Sequence, residues 1–214
     1  NFDQAQLDAW IDQYFGDIAL DYQFSSKWAA KLAVTYSEVA VDGERFLIFF
    51  NRVPPLAPIP TNFSTSSTVV DAVGKIEGTL FSLPGGDLRF SLGAGLLDEK
   101  FQGYSPISSR QSTGALGRQS PYAFVELFAP FVSPSQEIPL IHRLELSLAA
   151  RYTDYRDTSS PSLGREFGDS VDPKVGVFWL PAESLVLRVT YGTSFRALSL
   201  SQLDATGCPP FLTT

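Results

Sequence analysis

Strict alternation of apolar and polar residues, renewed segment after segment, limits this chain more than any other feature. In "LRFSLGAGLL", Leu88, Phe90, Leu92, Ala94 and Leu96 fall on one side of an extended chain. Side chains of a strand point alternately to its two faces, so this is the pattern of a strand with one apolar face. The clearest case sets Leu144, Leu146, Leu148, Ala150 and Tyr152 against Glu145, Ser147, Ala149, Arg151 and Thr153. Further segments alternate over 14–24, 28–41, 69–83 and 171–179, and again from Leu185 to Tyr191. "YAFVELFAPF" (122–131) reads as a strand with apolar residues on both faces, which leaves its orientation open, with Glu126 expected to point away from lipid. A helical period is expected only in short pieces near 4–11 and 197–204.

The connections add a second constraint. They are short at 25–27, 84–87 and 181–184, intermediate at 132–142, and long at 42–67, 102–119 and 157–169. Short turns at one end and long loops at the other describe an antiparallel up-and-down transmembrane β-barrel. The aromatics fit two girdles. Trp28 and Trp179 fall at the short-turn end, and Tyr36, Tyr152 and Tyr191 fall towards the long loops. A soluble sandwich also alternates, but its outer face normally carries more Lys and Glu. Here charged residues are only 18% of the chain, and the polar faces are rich in Gly, Ser, Thr and Ala. No apolar run approaches the ~18 residues of a membrane helix, so contact with a bilayer would be made by strands.

Charge parity sharpens the expectation. Asp17, Lys31, Lys75, Glu77, Arg89, Glu126, Glu145, Arg151, Lys174 and Arg188 are all assigned to inward positions. On a lipid face each cationic residue among them would cost about 2–4 kcal/mol at mid-membrane. Inside a barrel they would line a lumen, or pair across strands for roughly 0.2–1 kcal/mol each. Leu146→Arg is therefore expected to impair assembly far more than Glu145→Arg. Phe195-Arg196 is expected where the chain leaves the membrane and turns inward.

Other chemistries find little support. A net charge of −7 argues against a nucleic-acid partner, which needs a basic face. With Cys208 as the single cysteine, no internal disulfide or cysteine-rich metal site can form. His142 is the single histidine and lies in an expected turn, and no hydrolase, zinc-protease or phosphate-loop motif is present. Asp154, Asp157 and Asp169 read as solvated loop carboxylates rather than metal ligands. No enzyme activity, metal or cofactor is expected. The sequence contains no Met, so residue 1 is not expected to be a native start.

Several phrases together resemble the TonB-dependent outer-membrane receptors. "GTLFSLPGGDLRFSLGAGLLDEKF" (78–101) resembles that family's strand, Leu-Pro-x-Gly turn and following strand. "YAFVELFAPF" is similar to a short strand with an inward Glu, and "LELSLAARYTDY" to a recurrent Ala-x-Arg-Tyr strand. "DPKVGVFWLPAESLVLRVTYGTSFRALSLSQL" is the most specific stretch, although Leu198 stands where Pro is common after Arg-Ala. The resemblance is good over 68–204, and residues 1–67 fit as barrel hairpins. It implies about eight strands from the middle of a 22-stranded barrel of the bacterial outer membrane, too few to close at that diameter. All of residues 1–214 would belong to that barrel, with the plug domain and the C-terminal strands outside this chain.

The resemblance further implies an outer-membrane receptor that takes up a scarce ligand with energy from TonB. The ligand would be a ferric siderophore, with cobalamin or an oligosaccharide as other classes. The expected partners are outer-membrane lipid, the receptor's own plug, TonB and the small-molecule ligand. Arg151, Lys174, Arg188, Arg196, Glu126 and Glu145 are the candidates to face the lumen or plug. Ligand specificity is expected in the loops at 42–67, 102–119, 157–169 and 197–214. A passive porin-like or structural barrel, and a soluble carbohydrate-binding β-sandwich, are the competing readings.

Overall fold

A computed structural model describes residues 7–47, 59–104, 115–159, 164 and 166–203. Eight strands form one sheet: β1 (Leu7–Ser25), β2 (Trp28–Leu47), β3 (Ile59–Leu83), β4 (Gly86–Tyr104), β5 (Leu116–Val132), β6 (Arg143–Asp157), β7 (Glu166–Ala182) and β8 (Leu185–Gly192). A short 3-10 turn at Pro134–Gln136 and a one-turn helix, α1 (Leu200–Leu203), complete the described elements. Spatial order follows sequence order from β1 to β8, and every pairing is antiparallel. β1 and β8 are the two edges, so the sheet is open, as expected of a wall segment too narrow to close at a large diameter.

Two-residue turns join β1 to β2, β3 to β4 and β7 to β8. At the second of these the chain enters β4 through Gly86, whose φ of +139 favours glycine. The long connections fall at the opposite end.

The strands run further than alternation predicts. β1 starts at Leu7 where a short helix was expected, residues 4–6 of that stretch lying outside the described residues. β2 continues to Leu47 and β3 begins at Ile59, well inside the expected 42–67 loop, and the two stay in register to that end. The reason is that backbone pairing outlasts the apolar face. Above Tyr36 the same face carries Glu38 and Asp42, and across β3 it carries Ser64 and Ser66. The outward face thus turns polar while the ladder of hydrogen bonds continues, so its hydrophobic period stops before the strand does. In the same way, β4 to Tyr104, β5 from Leu116 and β7 from Glu166 enter their expected loops. The helix expected over 197–204 shrinks to Leu200–Leu203.

Register assigns every strand two faces. One row runs Ile18, Val34, Ala72 and Leu96, and another runs Leu127, Leu148, Val175 and Tyr191. These residues share an apolar face that nothing in the sheet covers: Ile18 is 80% exposed and Tyr191 71%. An apolar surface of this extent needs an apolar neighbour. On β2 it spans the nine residues from Trp28 to Tyr36, within the 9–11 that cross a bilayer as a tilted strand. Register also orients β5. Ala123 and Val125 pair with Ala94 and Leu92 on the apolar face, and Tyr122, Phe124, Glu126 and Phe128 take the other.

Aromatics border the apolar band. Trp28 lies against Gly78 on the neighbouring strand, where an added Cβ would collide with the indole. At the same short-turn end, the Trp179 indole N–H donates to the Leu140 carbonyl at 3.1 Å. Tyr14, Tyr36, Tyr152 and Tyr191 mark the other border, with Asp12, Glu38 and Asp154 following two residues beyond three of them.

Candidate functional site

The second face is polar and concave. A cavity of ≈ 630 Å³ on it is lined from Gln23 of β1 to Lys174 of β7, with Glu77, Arg89, Glu126 and Ser147 between. A flat sheet could not bring strands so far apart to one cavity. Curvature thus gathers residues that are distant in the chain.

Register puts the ten charged residues assigned inward on this one face. Two rows matter most. The first runs Glu77, Ser91, Glu126, Ala149, Lys174 and Gly192. Glu126 and Lys174 flank the small Ala149, and neither has a charged partner within ion-pair distance among the described residues. The second runs Asp21, Lys31, Lys75, Gly93, Phe124, Arg151 and Asp172. Here Lys31 approaches Asp21 at 3.7 Å, and Lys75 reaches along its own strand to Glu77 at 2.6 Å. Glu145 accepts from Arg143 Nε at 2.7 Å.

Several cations lie over aromatic rings. The Arg151 guanidinium sits 4.0 Å from the centre of the Tyr122 ring, and its Nε donates to Thr153 Oγ1 at 3.3 Å. Arg89 covers Phe128 at 4.5 Å, and Arg188 covers Phe178 at 5.4 Å. Such stacking holds a cation in place at about 0.5–2 kcal/mol without neutralising it. Arg196 stands apart from this group, exposed on the segment that follows β8.

Sequence reasoning missed the arrangement around β4. Gly93 and Gly95 sit opposite Phe124 and Tyr122, and the two rings lie over the two glycines. The Tyr122 ring thereby crosses β4, and its hydroxyl donates to Asp71 Oδ1 on β3 at 3.0 Å. Asp71, Tyr122 and Arg151 thus form a belt over four strands, independent of the backbone ladder. The only signal in the sequence was Gly-x-Gly on one strand and an aromatic pair on the next, readable once their register is known. Tyr122→Phe should keep the ring over Gly95 and lose the bond to the carboxylate. Its expected cost is about 1.5–3 kcal/mol, the range for a hydrogen bond to a charged group, and is checked by the unfolding midpoint of the refolded barrel.

The segment after β8 was expected to turn inward, and it folds back over the concave face. Thr193 N–H donates to the Pro173 carbonyl at 3.1 Å, and Phe195 packs edge-on to Tyr155 of β6 at 5.6 Å. The Leu198 carbonyl accepts from Arg118 Nη1 of β5 at 2.7 Å. Arg118 is also bound by Glu99 and lies near the rings of Tyr155 and Phe167.

Of the regions expected to set ligand specificity, 48–58, 105–114, 160–163, 165 and 204–214 lie outside the described residues, and Cys208 with them. Of the three loop carboxylates, Asp154 is paired with Arg156 at 2.7 Å. Asp169 sits across from Asp154 in the β6–β7 ladder.

A family model described as TonB dependent receptor-like, beta-barrel matches residues 1–213. No curated protein and no solved structure matches the chain.

Proposed function

Because this chain belongs to the TonB-dependent receptor-like β-barrel family, we propose that it forms part of the wall of an outer-membrane receptor that imports a scarce ligand with energy from TonB. The observation that carries this reading is the sorting of the two faces. Eight consecutive strands carry apolar residues on one side, and the ten charged residues assigned inward all fall on the other. A bilayer covers the first face, and a wet lumen containing a plug covers the second. Lipid, plug, TonB and ligand are the partners that follow, and the Gram-negative outer membrane is the location.

Within that lumen, Glu126 and Lys174 are the first candidates to meet the plug or the ligand, because no ion pair among the described residues engages them. Arg151 and Arg188 come next, held over rings with their charge available. Glu145 is the weakest candidate, since Arg143 already engages it. Arg196 would act from the returning segment. A ferric siderophore is the favoured ligand class: the cations on β4 to β8 suit its oxygen-rich, anionic surface. Cobalamin and oligosaccharides use fewer of these charges.

The test is uptake by the full-length receptor in cells lacking their own receptors, with and without TonB, supplying iron only as a ferric siderophore. Growth that requires both the receptor and TonB is the expected result. Equal passage without TonB would instead mark a passive pore.

A further inference from the structure

The two-residue turns of this wall carry no large aliphatic side chain. They are Ser26-Lys27 between β1 and β2, Pro84-Gly85 between β3 and β4, and Glu183-Ser184 between β7 and β8. The β5–β6 connection, at the same end, is different and runs through Ile138-Pro139-Leu140-Ile141. Ile141 N–H donates to the Ile138 carbonyl at 3.1 Å, which closes these four residues into a turn. Pro139 fixes a negative φ at the second position, and Leu140 at the third has a φ of +63. This is the pattern of a type II turn, whose third position favours Gly or Asn because a positive φ crowds a Cβ. The leucine there is also 76% exposed, and among the described large hydrophobic residues only Ile18 is more so. Neither backbone preference nor burial within the chain accounts for it. A residue held in so sparse a conformation points to a role outside the turn itself.

The turn lies on the outward side of the wall. Its Leu140 carbonyl accepts from the indole of Trp179, which stands on the apolar face between Leu144 of β6 and Leu187 of β8. His142 N–H donates to the Leu180 carbonyl at 2.7 Å and ties the end of the connection to β7. At its start, Ser133 N–H donates to Gln136 Oε1 at 3.0 Å and closes the Pro134–Gln136 turn. Held at both ends, the connection leaves Ile138 and Leu140 exposed next to the tryptophan border of the apolar band.

We propose that the Ile138–Ile141 turn is a lipid anchor: Leu140 and Ile138 enter the phospholipid leaflet at the short-turn end and seat this end of the wall at a fixed depth. This rests on the reading of the apolar face as the lipid-facing side. The occupant is lipid because the patch is continuous with that face and adjoins Trp179, and tryptophan is the side chain suited to the headgroup level. The bond between the indole N–H and the Leu140 carbonyl satisfies both groups, so ring and turn can sit together in the interface without an unpaired donor.

The test places nitroxide labels on the full-length receptor with Cys208→Ser, refolded into vesicles of phosphatidylethanolamine and phosphatidylglycerol. Leu140→Cys carries the first label. Ile138→Cys, whose backbone is outside the left-handed region, repeats the measurement in case a label at Leu140 disturbs the turn. Leu148→Cys on the apolar face and Glu183→Cys on the β7–β8 turn are the references, and a heat-modifiability gel verifies assembly of each variant. Both turn labels should be relaxed by dissolved oxygen, as at Leu148. Their collisions with a polar nickel chelate should be about tenfold or more rarer than at Glu183, because a polar complex is excluded from an apolar layer. Free access of the chelate to both turn labels, with Leu148 protected, overturns the proposal and leaves the lipid-facing reading intact. Exclusion of oxygen and chelate alike marks a protein contact and overturns it too. Failure of the lipid-facing reading shows separately, as access of the chelate to Leu148.

Discussion

Leu146→Arg should cut the heat-modifiable receptor in the outer membrane at least tenfold, while Glu145→Arg should leave most of it assembled. The two residues are neighbours in sequence and differ only in the face they occupy. Leu146 lies between Ala129 and Val177 on the apolar face, one residue pair from Leu148 at the middle of that face on β6. An arginine there costs about 2 kcal/mol or more in lipid, roughly a thirtyfold shift in an assembly equilibrium. Glu145 lies on the concave face, away from the apolar side, so a new cation there does not enter lipid. Its loss frees Arg143, an ion pair half open to solvent on the arginine side and worth about 1 kcal/mol at most. Equal assembly of the two variants would refute the assignment of the faces.

The second large effect is expected at Gly95. A Cβ at this position would stand 2.5 Å from Tyr122 Cζ and 2.7 Å from the Ala72 carbonyl oxygen. The ring could swing away, but only by giving up Asp71, and the carbonyl belongs to the β3 backbone and cannot. Gly95→Val should therefore destabilise the barrel by about 3 kcal/mol, combining overpacking with the lost bond to the carboxylate. A lower heat-modifiability temperature in the full-length receptor is the readout. Adding Tyr122→Ala should restore only part of the loss, because Ala72 remains in the way. An unchanged temperature for Gly95→Val would mean that the ring does not cross β4.

Fold and site were legible to different depths. The two faces were readable on seven strands because burial against one apolar phase forces a period of two. β5 escaped because its concave side is also apolar, through Tyr122, Phe124 and Phe128. Those rings cover glycines and meet arginines of neighbouring strands, so their side could be assigned only from the register. Strand ends were misplaced for the opposite reason. Beyond Tyr36 the outward face turns polar, and backbone hydrogen bonds leave no mark in the side-chain pattern.

The inward charges on the strands behave likewise. Parity alone assigned Glu145, Arg151, Lys174 and Arg188 to one face, because each follows from counting along a strand, while Glu126 was placed there only as a charge that avoids lipid. What each residue meets is not given by parity and depends in part on other strands. Lys174 and Glu126 flank Ala149 without touching, Glu145 is taken by Arg143, and Arg151 rests on Tyr122.

By itself, then, the sequence determined the alternating faces, the up-and-down order and the side on which the strand charges lie. These are local consequences of strand geometry and of the rule that apolar side chains leave water. Tertiary structure alone decided the belt over Gly95 and the return of residues 193–203 onto Arg118. Each of these joins residues far apart in the chain, and only register and sheet curvature set their distances.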